Sequence, residues 1–321
     1  MGWTGSITSS SAVGSKTTFK PDTSTIGGYT VGSFTAPRKG IYLFELTGSG
    51  GAKGATSKGD TDLTQKAWYE CANGGEGGTT TGYLLLEKDQ KVYVGCGGAC
   101  SAAFVSSSTG SNLANVTQGN LYFVAGGGGQ GGSCGESKNC TGYDCAATTG
   151  GNGGGSSGGK GASFQSTYGG EGGTQSAGGA GGDGDNVDGN KGSAGKGGTN
   201  VTHGSGSYVG ISGRGGDGYY GGGSGQVEAY TDDDGYGRAR AWGGGGGSGY
   251  VKTASFTYMD ETYKSTTSRG GGAASNKSGS VVITLSVIGE LPIKFNGTSI
   301  TELVFNGTKV TSVVYNGTKL F

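Results

Sequence analysis

Strand-like apolar runs lie on either side of a long polar, glycine-rich stretch, and the clearest of them is near-continuously apolar, which suggests burial on both faces. Gly40-Ile41-Tyr42-Leu43-Phe44-Glu45-Leu46-Thr47 is short, aromatic and β-branched, which predicts a strand in a sandwich core. Residues 29–36 form another predicted strand, with Pro37 and Gly40 punctuating the turn between the two. Residues 80–88 and 91–95 follow, joined by a predicted hairpin turn at Lys88-Asp89-Gln90. Residues 120–125 run straight into Gly126-Gly127-Gly128-Gly129. Strand character returns at 248–258 and 279–288, and the last of these is expected to close the sandwich against 41–46. Residues 1–30 are rich in Ser, Thr and Gly, with Trp3 and Phe19 as isolated anchors, and read as an attachment segment or irregular lead-in. Residues 48–60 read as a loop without periodicity, and no segment predicts a helix.

The tail carries a repeat of period ten: Phe295-Asn296-Gly297-Thr298, Phe305-Asn306-Gly307-Thr308 and Tyr315-Asn316-Gly317-Thr318. Asn-Gly is the strongest short hairpin signal, because both turn residues need positive φ. Three such turns predict a four-stranded antiparallel meander with inner strands 298–305 and 308–315, bulged at Thr301-Glu302 and Thr311-Ser312. About 30 residues bury too little alone, so this unit is expected to pack on the main domain or on copies of itself.

Between the strand-like ends, composition changes the picture. Forty-nine of the 130 residues from Leu121 to Tyr250 are glycine, and none is proline. Glycine loses the most conformational freedom on folding. A tract this rich in it is either a flexible linker or a close-packed set of backbones that admits no side chain. Collagen is excluded, since there is neither a Gly-X-Y register nor proline. Phe164, Tyr168, Tyr208, Tyr219, Tyr220, Tyr230, Tyr236 and Trp242 argue against a linker, which has no use for aromatics. The expected solution is a bundle of polyglycine II helices, three residues per turn, bonded laterally through N–H groups and Cα–H···O contacts. The resulting organisation is a lead-in over 1–30, a β-sandwich over 31–289 with a polyglycine insertion at about 126–250, and a C-terminal meander over 290–321. The fold class is mainly β.

Charge and chemistry narrow the function. The formal net charge is zero with no basic tract, which excludes nucleic acid or an anionic membrane as the main partner. No stretch is long and apolar enough for a helical membrane span. Met1-Gly2-Trp3-Thr4-Gly5 lacks the basic and apolar regions of a secretory signal, so either release by another route, such as cell lysis, or a cytoplasmic location is expected. Cys71, Cys96, Cys100, Cys134, Cys140 and Cys145 are even in number and fit no common zinc spacing; disulfides or buried thiols are expected and no metal. The single histidine, His203, is flanked by Thr202 and Gly204 and gives no supported Ser-His-Asp or Cys-His reading. Gly178-Gly179-Ala180-Gly181-Gly182-Asp183 matches the start of a calcium-binding nonapeptide, but Asp185 stands where an apolar residue belongs and no tandem copy follows. The chain is expected to be no enzyme and to hold no cofactor.

Recognition chemistry remains. Tyr219, Tyr220, Tyr230, Tyr236 and Trp242 cluster in sequence beside Asp232, Asp233 and Asp234. Planar aromatics next to hydrogen-bonding acids suit carbohydrate or protein recognition, and these eight residues are the candidate receptor site. Asn296, Gly297, Asn306, Gly307, Asn316 and Gly317 are the candidate assembly turns.

Two resemblances add to this reading. Phe34-Thr35-Ala36-Pro37-Arg38-Lys39-Gly40 with the strand after it, Gly48-Ser49-Gly50-Gly51-Ala52, Gly82-Tyr83-Leu84, Lys91-Val92-Tyr93-Val94-Gly95 and the run from Trp242 to Val251 resemble the glycine-rich domain of bacterial and animal proteins. That domain also occurs outside the cell in anaplastic lymphoma kinase-type receptors. The likeness spans about 30–288 and implies a jelly-roll-like β-sandwich with an inserted polyglycine II bundle, used in extracellular recognition. The Phe-Asn-Gly-Thr-Lys-Val repeat ending in Leu320-Phe321 resembles the tails of virion structural proteins from phages of Gram-positive bacteria. Together they imply a phage virion protein, a receptor-binding or tail-fibre-type adhesin acting outside the cell. Its expected partners are a host-surface glycan or protein, other virion proteins and further copies of itself. The alternatives are a head or tail decoration protein without adhesive function, and a bacterial surface or matrix protein.

Overall fold

The computed structural model describes residues 2–54, 68–136, 146–163, 168–184, 187–205, 208–231 and 237–289, and six short strands within 290–321. The fold is mainly β, and its base is a β-sandwich. One sheet has six strands in the order Trp3–Thr4, Lys16–Phe19, Ser280–Ile288, Gly40–Thr47, Thr79–Leu86, Thr266–Ser268. The other has five: Tyr250–Val251, Leu121–Ala125, Ala103–Ser106, Lys91–Gly97, Tyr29–Thr35. Alternate residues point between them, so Tyr42, Phe44 and Leu46 meet Val281, Ile283 and Leu285 from one sheet and Val92, Val94, Val105 and Phe123 from the other. Phe44 and Phe123 rings lie 6.0 Å apart across the interface. Gly82 faces Phe123, and a Cβ there would overlap the ring. Ser280–Ile288 pairs antiparallel with Gly40–Thr47, as the sequence pattern predicts.

Two expected connections differ. The strands flanking Lys88-Asp89-Gln90 do not form a hairpin: Thr79–Leu86 belongs to the six-stranded sheet and Lys91–Gly97 to the five-stranded one. The turn before Gly40 likewise crosses between sheets. The crossings bond to each other, with the Ala36 N–H donating to the Gln90 carbonyl and the Asp89 N–H to the Ala36 carbonyl. Turn residues specify a local reversal, and burial of both inner faces selects crossing over pairing. Residues 1–30 also depart from an irregular lead-in. They supply two strands, and Trp3 packs on Phe19 at 4.9 Å between ring centres.

The glycine segments form a laterally bonded array continuous with the sandwich strands. Around 242–249 the bonding repeats every three residues. Trp242, Gly245 and Ser248 donate to the carbonyls of Gln226, Gly223 and Tyr220; Gly244 and Gly247 donate to Gln130 and Gly127; Gly246 and Gly249 donate to Gly159 and Gly155. The carbonyls of Trp242, Gly245 and Ser248 accept from Gly213, Gly216 and Tyr219; those of Gly243 and Gly246 accept from Gly170 and Gly173; those of Gly244 and Gly247 accept from Gly151 and Gly154. One chain thus bonds to six neighbouring segments. A three-residue repeat without bonds inside the chain is the signature of polyproline II geometry, which glycine adopts as polyglycine II. The array is larger than a 126–250 insertion. Residues 48–54, expected to begin a loop, and 72–78 belong to it: Gly51 donates to Gly75, Gly75 to Gly129 and Gly128 to Ser49. Glycine content alone missed them because 48–54 and 72–78 are interrupted by Ser49, Ala52, Lys53, Ala72, Asn73 and Glu76.

Each tail repeat forms its own two-stranded hairpin: Lys294–Phe295 with Thr298–Ser299, Val304–Phe305 with Thr308–Lys309, Val314–Tyr315 with Thr318–Lys319. Among the described residues these are three separate sheets, not the expected four-stranded meander. A two-residue turn fixes register only for the strands it joins. The turn residues Asn296, Gly297, Asn306, Gly307, Asn316 and Gly317 lie outside the described residues.

Candidate functional site

Where the array ends away from the base sandwich, its chains re-form strands. Trp68–Cys71, Ser133–Glu136, Tyr208–Ile211 and Thr202–Ser205 make a four-stranded sheet. Ala146–Ala147, Gly237–Ala241 and Val227–Thr231 make a three-stranded one. The two sheets share a thin core of Cys134, Ala229, Ala239 and Ala241, with Ala147 and Tyr208 against it. Small residues continue the close spacing of the glycine chains beneath. Seven array residues, such as 126–132, span roughly 20 Å at about 3.1 Å each, so this tip stands well clear of the base. On it, Glu228 and Arg240 face each other in register and pair at 3.2 Å, and the Arg240 guanidinium lies 5.7 Å from the Tyr230 ring centre. His203 lies on a tip strand opposite Gly210.

The four candidate receptor residues among the described residues do not assemble into one patch. Tyr230 is on the tip. Trp242 is buried at the tip's foot, with Tyr168 edge-on at 5.1 Å. Tyr219 is at the other end of the array, stacked on Tyr250 at 4.1 Å and T-shaped to Tyr220. The array separates them because 220–226 runs its length between Tyr220 and the strand Val227–Thr231. Asp232, Asp233, Asp234 and Tyr236 lie outside the described residues.

A charged network that sequence reasoning missed joins array to base. Asp217, 2% exposed, accepts from Arg214 Nη2 at 2.7 Å, from the Gly197 N–H at 2.8 Å and from the Tyr29 hydroxyl at 3.2 Å. The Ala102 N–H donates to that same tyrosine oxygen at 3.0 Å. Burial drives the Tyr29 hydroxyl well above the usual tyrosine range, and the Asp217 charge pushes the same way. Arg214 is held protonated by Asp217 against the cost of its burial. The Arg-x-x-Asp spacing was visible in sequence, but nothing there distinguished it from a solvated loop.

Cys96 and Cys100, two of the expected disulfide candidates, are buried free thiols. Cys96 sits in the main core and Cys100 beside Ala52 and Ala99, so packing accounts for both. Burial, with a smaller push from Asp22, raises the Cys96 thiol to about 12. Cys71 and Cys134 lie on neighbouring strands of the tip sheet, with Cys71 opposite Ser133. Cys140 and Cys145 lie outside the described residues. Among the described residues no group of three or more His, Cys, Asp or Glu is arranged to hold a metal ion, and no helix is long and apolar enough to cross a membrane.

No protein-family model matches this chain, and no curated protein matches it.

Proposed function

We propose that the chain is a phage virion protein, a non-enzymatic adhesin that presents its tip to the host surface on a glycine scaffold. The observation that carries the reading is the array itself. Six-neighbour bonding around 242–249 supplies a stiff spacer between a large base sandwich and a small tip. The tail repeat, with its resemblance to phage virion tails, supplies the virion context. In this reading the tip faces a cell-surface glycan or protein, and the tail hairpins engage other virion proteins or further copies of the chain. The decoration-protein reading draws on the burial of Trp242, which takes a candidate recognition residue off the free surface.

Fluorescently labelled protein incubated with intact cells of a bacterial panel tests the proposal. Saturable binding to a narrow set of strains is expected, with loss on stripping wall glycopolymers if the receptor is a glycan. Folded protein that binds no strain would overturn the adhesin reading in favour of the decoration protein.

A further inference from the structure

At the foot of the tip, Gln226 and Trp242 face each other where the array meets the three-stranded sheet, the Trp242 N–H donating to the Gln226 carbonyl at 3.0 Å. Gln226 is 1% exposed and Trp242 2%. Neither the Gln226 side-chain amide nitrogen, nor its oxygen, nor the Trp242 indole nitrogen has a hydrogen-bond partner among the described residues. Tyr168 links them. Its ring meets the Trp242 ring edge-on, and a Cβ on Gly184 would overlap both the Tyr168 ring and the Gln226 amide. Tyr168 and Gly184 are half-buried, so the cluster reaches the surface through them.

Buried polar groups are nearly always bonded, because each unpaired one costs desolvation without return. Here three unpaired atoms belong to the two side chains that flank the Tyr168 ring, in a molecule that otherwise bonds its backbone from neighbour to neighbour. A scaffold needing only packing would place an apolar residue at 226. Two amide donors, one amide acceptor and an indole donor beside aromatic rings match a neutral, hydroxyl-bearing ligand that offers both donors and acceptors on a ring with an apolar face. We propose that Gln226, Trp242 and Tyr168 form a sugar-binding subsite. Tyr168 swings off the indole to admit a neutral hexose or N-acetylhexosamine unit of a surface glycan. This rests on the adhesin reading and names the class of its receptor.

The test uses the full chain, with Gln226→Leu and Trp242→Phe. Gln226→Leu removes an unpaired amide at similar volume, so thermal stability is expected to hold or rise. Trp242→Phe keeps an aromatic ring and removes only the indole donor. Two readouts are needed: binding to cells, and the Trp242 indole N–H resonance, assigned by its loss in Trp242→Phe, during titration with glucose, galactose and N-acetylglucosamine. A saturable shift of that resonance is expected with at least one sugar, together with a loss of about tenfold in cell binding for Gln226→Leu. Normal cell binding by both variants and an unmoved resonance would overturn the subsite while leaving the adhesin standing. A resonance that shifts with sugar in a protein that binds no cells would leave the subsite standing and remove the adhesin. Retention of a bridging water alone at Gln226, with no sugar response, would also overturn it.

Discussion

At the residue scale, the buried Arg214–Asp217 pair is costly to disturb. Removing one partner of a buried pair leaves the other charged and unpaired, a loss of about 3–5 kcal/mol. Asp217→Ala is therefore expected to destabilise by that amount in urea unfolding, because it strands Arg214 and also frees the Tyr29 hydroxyl and the Gly197 N–H. Alkaline pH acts through other groups. Cys96 is raised to about 12, and Tyr29 and Cys100 are raised by burial. Such a group keeps its proton in the folded chain after the unfolded chain has lost it. Its stabilising effect is complete below the unfolded pKa, near 8.5 for a thiol and 10 for tyrosine, and disappears as pH climbs through the folded value. The melting temperature is expected to fall steadily from about pH 9 upward, and a flat profile to pH 11 would contradict the burial of these groups. By the same argument, Cys96 in the folded protein is expected to resist alkylation at pH 8.

At the element scale, the array makes a demand that few folds make. A Cβ on Gly245 would overlap the Glu171 backbone, and one on Gly222 the backbone of Gly245. Gly245→Val is expected to cost more than about 4 kcal/mol or prevent folding, since overlap with backbone on a chain bonded on all sides cannot relax by a rotamer change. Gly119→Ala supplies the contrast. Gly119 lies in the single turn Gln118–Asn120 with nothing within 4 Å of an added Cβ, so the change is expected to be neutral or stabilise by up to about 1 kcal/mol. If both variants melt alike, the array is not close-packed. The strands of the base were legible in sequence because they are short apolar runs, aromatic and β-branched, punctuated by Gly and Pro. The array was legible as a composition, but its edges at 48–54 and 72–78 were not, since exposed Lys53, Asn73 and Glu76 and buried Ser49 and Ala52 break up the glycine runs there. The sheet changes at Pro37 and Asp89 were illegible because turn chemistry fixes a reversal and leaves the choice of partner strand to burial.

At the scale of the whole molecule, base and tip are parts of one folding unit because the chain shuttles between them. The base strand Leu121–Ala125 becomes an array chain and then the tip strand Ser133–Glu136; Gly237–Ala241 returns through the array to Tyr250–Val251. The site residues were legible only as residue types: the array sends Tyr219 to one end and Tyr230 to the other, and sequence proximity carries no information about that. The tip core of Cys134 and three alanines is too small to hold two sheets by burial alone, at about 25 cal/mol per Å² of apolar surface. Its strands are fixed chiefly by the array chains feeding them, and those are aligned by the base. The described parts through residue 289 are accordingly expected to unfold in a single transition by calorimetry, with calorimetric and van't Hoff enthalpies equal. Amides of 244–248 are expected to exchange hydrogen as slowly as those of 42–46 in the base core. An array that melts early, releasing the tip while Phe44 and Phe123 remain packed, would show that the glycine chains are a tether and would remove the physical basis for presenting the tip at a fixed distance.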